Sequence, residues 1–197
     1  MSAGLAVLVS GSGSNLQSLL DAQKADALAG AKIVLVLSDN PKSYALTRAE
    51  QAGVQALVIR PKDYATRADW ERAVGDALDA ARVDWVLLAG FLRIFSGDFV
   101  RRFAGRILNI HPSLLPKYGG EGFYGLKVHE AVLAGNEKES GASVHFVTEG
   151  CDEGPVILQE KVAVYPEDTP EQLQQRVLKI EHKLYPKAVR ELLKGSK

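Results

Sequence analysis

The 197 residues, 46% of them hydrophobic, are enough for one sizeable core. Lys+Arg and Asp+Glu balance at 24 each, so no net positive field exists to hold a polyanion, and nucleic acid is excluded as an expected partner. Cys151 is the only cysteine, which rules out an intramolecular disulfide or a multi-cysteine metal site and fits a reducing compartment. The opening MSAGLAVLVSGSGSN has neither the basic flank nor the apolar length of a signal or membrane segment. The expectation is one cytoplasmic domain over residues 1–197, away from membranes.

In chain order, apolar runs of strand length alternate with stretches of helical period. LAVLVS (5–10), KIVLVL (32–37), VQALVI (54–59) and DWVLLA (84–89) have almost no polar interruption, as strands covered on both faces should. SNLQSLLDAQKADALAG, YALTRAEQAG and DWERAVGDALDAAR read as the intervening helices, with Gly30 and Gly53 at C-cap positions. This order predicts an α/β, Rossmann-like, mostly parallel sheet with helices on both faces. RILNI (106–110) continues the strands and LKVHEAVLAG (126–135) the helices. Residues 141–165 then read as an antiparallel hairpin around an acidic, glycine-containing loop, with Val156, Leu158, Val162 and Val164 on one face. A long final helix buries a stripe of Leu173, Val177, Ile180, Leu184, Ala188 and Leu192, with a kink expected at Pro186.

Ligands of open parallel sheets bind beyond the carboxyl ends of the strands, where strand order reverses. Three segments fall there. SGSGSNLQ (10–17) leads from a strand into a helix N-terminus that can hold a phosphate, but Leu16 stands where a dinucleotide fingerprint has its third glycine. A tight turn with no ligand is the alternative, and Asp39 in SDNP is as readily a turn residue as a ribose ligand. Asn109 and His111 are two apart on a strand and project to the same side, so an amide donor and an imidazole can converge on one oxygen. Two polar residues closing a strand is the plainer reading. The loop TEGCDEG adds Glu149, Asp152 and Glu153, and a carboxylate beside His111 is expected to raise its pKa and make it a general acid. AGFLRIF (89–95) offers apolar surface, or merely the start of a helix. His145 is expected to pack in the hairpin, and His129 and His182 to lie on helix surfaces. No HxxxH or cysteine spacing supports a metal.

Taken together, VLVSGSGSNLQ, LAGFLRI, GRILNIHPSLLPKY, GASVHFVTEGCDEGPVILQ and RVLKIEHKLYP closely resemble the phosphoribosylglycinamide formyltransferase family, the folate-dependent transformylases of purine synthesis. The resemblance covers nearly the whole chain. It implies that Asn109, His111 and Asp152 are catalytic and that Gly13, Ser14 and Asn15 bind the substrate phosphate, with Glu181 on the ribose. It implies folate contacts at Leu92, Arg93, Ile94, Phe95 and Asn109, and at Arg67 near the glutamate tail. It further implies 10-formyltetrahydrofolate as co-substrate, no metal, small-molecule partners only, and a monomer or homodimer. The segment from Lys117 to His129 is longer than the family pattern, and Cys151 stands where an aliphatic residue is usual. A formyltetrahydrofolate hydrolase could use the same Asn-His-Asp set, while a methionyl-tRNA formyltransferase would need a further basic domain. A nicotinamide dehydrogenase would want the missing glycine, and a non-catalytic nucleotide-binding module would leave the triad unexplained.

Overall fold

The computed structural model describes residues 2–195. Seven strands form one sheet in the order β3-β2-β1-β4-β5-β6-β7. Strands β1 (Gly4–Val9), β2 (Lys32–Ser38), β3 (Gln55–Val58), β4 (Trp85–Leu88) and β5 (Ile107–His111) run parallel. Strands β6 (Glu139–Phe146) and β7 (Val156–Ala163) are antiparallel to their neighbours. The helices are α1 (Ser14–Lys24), α2 (Tyr44–Gln51), α3 (Arg67–Ala80), α4 (Gly97–Arg102), α5 (Leu126–Ala134) and α6 (Pro170–Gly195).

Side chains of a strand alternate faces, and β1 shows what that does here. Leu5, Val7 and Val9 pack with buried residues of α1, α2, α5 and α6 in one core. Ala6 and Leu8 pack with Trp70, Val74 and Leu78 of α3 and with Phe99 and Val100 of α4 in the other. A strand buried on both faces has no position for a polar residue, which is why these runs are continuous rather than alternating. Strand β3 departs from that expectation: it is an edge strand, and only Leu57 of its four residues is even partly covered.

Several local expectations change. The first helix stops at Lys24, well before Gly30. Asp26 takes the left-handed conformation at φ 53°, and Ala27 N–H closes back on the Ala22 carbonyl at 2.8 Å. Asp tolerates that conformation better than most residues, so no glycine is required. Gly53, by contrast, does sit just past α2 at φ 67°, with Val54 N–H on the Ala49 carbonyl at 2.9 Å. In the hairpin the register shifts at Val144/His145, which pairs His145 with Val156. The irregularity leaves Val156 exposed and lets Ile157 pack against the core beside Leu158, Val162 and Val164. Helix α6 continues through Pro186 to Gly195 and buries a wider face than the single stripe, adding Glu181, Tyr185, Val189 and Leu193. No helix among the described residues is long and apolar enough to cross a membrane.

Tyr185 ties this helix to the sheet. Its ring is fully buried, and its hydroxyl lies 3.0 Å from the carbonyl of Leu88, the last residue of β4, and 3.2 Å from that of Leu108 near the start of β5. Tyr185→Phe removes the donor shared by two buried carbonyls. Urea denaturation is expected to show a loss of about 1–3 kcal/mol; unchanged stability would mean that the carbonyls are satisfied in another way.

Candidate active site

From β1 the chain steps outward to β2 and β3, then crosses back to β4 on the other side of β1. That reversal opens a crevice at the carboxyl ends of β1 and β4, and a cavity of about 820 Å³ occupies it.

One end of the cavity is made by the turn after β1. Gly13 has φ 70°, and a Cβ there would lie 2.6 Å from the Ala45 Cβ, so α2 can approach only a glycine. Ser14 begins α1, whose own ladder starts only at Gln17 N–H to the Gly13 carbonyl (2.9 Å). The preceding amides precede the ladder and face an anion-favouring helix end. Buried Asn15 donates through Nδ2 to Glu181 Oε2 of α6 at 2.6 Å, while its Oδ1 has no partner. Burial pushes the Glu181 carboxyl upward, opposed by that Asn15 hydrogen bond. Asn15 and Glu181 both line the cavity, and this hydrogen-bonded pair is of the kind that suits sugar hydroxyls.

The second wall follows β4. Residues 91–96 form neither helix nor strand, so AGFLRIF is not a helix start; α4 begins at Gly97, capped by the Ser96 hydroxyl. Leu92 and Ile94 are 60% and 50% exposed, whereas Phe95 is buried in a stack with Trp70, Phe91 and Phe99. Leu92, Arg93, Ile94 and Phe95 all line the cavity; Arg67 lies outside its lining. Arg67 instead donates to Glu71 Oε1 at 2.9 Å and to the Ile94 carbonyl at 2.6 Å. Arg93 Nε holds Asp39 Oδ2 at 2.6 Å.

The centre is made by β5, β6 and the hairpin loop. Asn109 and His111 end β5 on the same side, and register places His145 of β6 directly opposite Asn109. Asp152 enters from the loop in a left-handed conformation, φ 57°. Its Oδ2 lies 3.4 Å from His111 Nδ1 and accepts from Gly120 N–H at 3.1 Å. Its Oδ1 lies 3.4 Å from both Asn109 Nδ2 and His145 Nε2. His145 Nδ1 faces the Phe146 carbonyl at 2.9 Å, which makes that nitrogen a donor, and its Nε2 lies 3.1 Å from Asn109 Nδ2. By the same logic His111 Nε2 donates to the Tyr118 carbonyl at 2.7 Å.

The charge balance differs from the expected one. Burial lowers the His111 pKa, and this outweighs the upward pull of Asp152 and the Tyr118 carbonyl. A carboxylate neighbour therefore does not produce an imidazolium here, because the site removes water from the ring as well as supplying the charge. For Asp152, burial pushes upward, but His145, His111 and the Gly120 N–H together hold the carboxyl below its usual value. The resting pair is a neutral imidazole beside a carboxylate.

His129 is not on a surface: it is buried, lines the cavity, and has an unpartnered Nδ1. Burial, with His111 nearby, lowers its pKa to about 4. His182 is half-buried, with its Nε2 buried and unpartnered. His145 packs in the hairpin as expected, and it also joins the centre, opposite Asn109 and 3.4 Å from Asp152. Its sequence signal was available only through the β5–β6 register. Burial and Asp152 push the Cys151 thiol up to about 11, away from nucleophilic use. Among the described residues no group of three or more His, Cys, Asp or Glu side chains is placed to hold a metal ion.

The chain is a Rossmann-like α/β sheet with an Asn-His-Asp cluster, its histidine buried, at the switch crevice. The family model described as "Formyl transferase" matches residues 3–189, and the chain belongs to that family. It is 43% identical to the phosphoribosylglycinamide formyltransferase of Escherichia coli over 92% of this chain and 83% of that protein. It is 48% identical over 98% of its own length to the trifunctional purine biosynthetic protein adenosine-3 of Drosophila melanogaster, but spans only 14% of that relative. The crystal structure of glycinamide ribonucleotide transformylase 1 from Symbiobacterium toebii superposes with a TM-score of 0.93. It is 42% identical, covering 98% of this chain and 89% of that one.

The lowered pKa of His129 sets a stability prediction. Between its ordinary 6.5 and about 4, the unfolded chain binds a proton that the folded chain refuses. Stability is then fully present above that window and falls as pH drops through it. Melting temperature followed down through this range is expected to decline, and His129→Gln to flatten the decline; an identical slope in the variant would remove His129 as its source. Gly13→Ala, which is strained at φ 70° and collides with Ala45, is expected to lower the melting temperature by several degrees, roughly 1–3 kcal/mol.

Proposed function

We propose that this chain is a formyltransferase domain that moves the formyl group of 10-formyltetrahydrofolate to the amine of glycinamide ribonucleotide, in purine biosynthesis. The observation that carries the reading is a single cavity joining three features. These are a helix N-terminus with a ribose-type acceptor pair, an exposed apolar segment, and an Asn-His-Asp centre between them. The Gly13-Ser14-Asn15 turn receives the phosphate, Asn15 and Glu181 the ribose hydroxyls, and Leu92 to Phe95 the folate ring.

The ribonucleotide amine attacks the formyl carbon, with both substrates held so that the step is effectively unimolecular. A tetrahedral oxyanion forms, to which Asn109 Nδ2 donates by releasing its long contact with Asp152. The attacking nitrogen becomes acidic as it bonds. Nε2 of His111 already spends its hydrogen on Tyr118, so the proton goes to Nδ1, directly or through water, where Asp152 receives it as an ion pair. Growth of negative charge beside the ring makes this protonation favourable, although burial keeps the resting ring neutral. Return of the proton to the folate nitrogen as its bond to carbon breaks completes the transfer. No covalent enzyme intermediate is required.

Absorbance of 10-formyltetrahydrofolate with and without glycinamide ribonucleotide tests the reading. Deformylation that requires the ribonucleotide is expected; deformylation without it would make the chain a hydrolase. His111→Ala and Asp152→Asn should each lower kcat by roughly two to four orders of magnitude, and near-normal turnover in both would sink the assignment. With a neutral resting base, kcat/KM should be level at neutral pH and fall only below the ordinary histidine range. The acid limb should vanish in His111→Ala.

A further inference from the structure

Glu71 lies on α3, outside the cavity, and no step of the proposed reaction uses it. It is only 5% exposed, yet it carries a carboxylate, and both oxygens are taken by groups from one functional segment. Oε1 accepts from Ser96 N–H at 2.8 Å and from Arg67 Nε at 2.9 Å. Oε2 accepts from the Ser96 hydroxyl in a short hydrogen bond. Arg67 extends the clamp, donating through Nη2 to the Ile94 carbonyl at 2.6 Å.

The segment so held is residues 91–96, which no helix or sheet ladder stabilises. Its near end is fixed by Leu92 N–H on the Ser10 hydroxyl at 2.9 Å and by the Arg93–Asp39 pair. Its far end depends on Glu71. Joining α3 to α4 does not itself call for a buried charge, because the Trp70, Phe95 and Phe99 rings already stack between them. A buried carboxylate is costly unless well supplied with donors. Here the donors are two backbone or side-chain groups of Ser96 and the arginine that grips Ile94.

We propose that Glu71 is a positioning residue of the formyl-folate subsite. It fixes the backbone at 94–96 so that the exposed Leu92 and Ile94 side chains stand as a preformed apolar platform in the cavity. The proposal rests on the assignment of Leu92 to Phe95 to the folate. Without the clamp, the segment must be ordered when the folate binds, and that entropy is subtracted from affinity for the folate alone. The ribonucleotide end of the cavity, built on α1 and α6, shares none of the hydrogen bonds made by Glu71 and Arg67.

The test is steady-state kinetics with each substrate varied, together with calorimetric titration of a stable formyl-folate analogue, on wild type, Glu71→Gln, Glu71→Ala and Ser96→Ala. For Glu71→Gln we expect folate KM and Kd to rise about tenfold, with ribonucleotide KM within about twofold and kcat at saturating folate nearly retained. An unchanged folate KM overturns the proposal, as does equal weakening of both substrates, which is the signature of general structural damage. Should the Glu71 variants fail to fold, Ser96→Ala carries the decision. It removes the hydroxyl arm together with the α4 cap on Phe99 N–H, leaves the Ser96 backbone arm in place, and is expected to shift folate affinity roughly threefold in the same direction with ribonucleotide affinity unchanged, and no shift overturns the proposal. If wild type binds no formyl-folate analogue, the site assignment itself fails before any variant is compared.

Discussion

The burial of one carboxylate, Asp152, organises the centre of this protein. Its two oxygens gather His111 from the end of β5, His145 from β6, the Asn109 amide and the Gly120 backbone N–H. Those groups come from three separate stretches of chain, and each would be a liability if buried alone. The carboxylate makes them mutually satisfying. It enters the crevice from the hairpin loop on a left-handed backbone, φ 57°. The loop, the hairpin and the end of β5 are therefore one electrostatic unit.

Burial has a second consequence. The same exclusion of water that strengthens these hydrogen bonds disfavours the imidazolium, so His111 rests neutral beside an ionised Asp152. Such a pair is poised to respond to charge that appears only during reaction. At the far end of the cavity, Asn15 and Glu181 follow a related logic: they satisfy each other with one strong hydrogen bond and leave Asn15 Oδ1 open. Polar atoms left incomplete in a packed protein are where a ligand's own polar atoms gain most.

The rest of the cavity wall relies on a rigid scaffold carrying irregular segments. The turn at 11–15 and the segment at 91–96 leave adjacent strands, β1 and β4, whose carboxyl ends Tyr185 and the flanking cores hold in place. Substrate-facing loops set on such strands vary in sequence without disturbing the sheet.

Much of this was legible in the sequence. The continuous apolar runs at 5–10, 32–37 and 84–89 determine buried parallel strands, and alternation with helical stretches determines the sheet class. Local chemistry also carries Asn109 and His111 to one side of a strand end, and the family resemblance carries Asp152 beside them. What the sequence could not determine depends on contacts between distant residues. VQALVI is as apolar as its neighbours, but its place at the sheet edge leaves it largely exposed, a matter of strand order alone. His145 joins the centre through the β5–β6 register, and Ile157 replaces Val156 in the core because of an irregularity in the β6–β7 ladder. The neutral His111 is decided the same way: sequence supplies the acid that pulls its pKa up, whereas the depth of burial that pulls it down is a property of the assembled fold. Periodicity is local and survives in the chain; register, edge position and desolvation arise only once the chain has closed on itself.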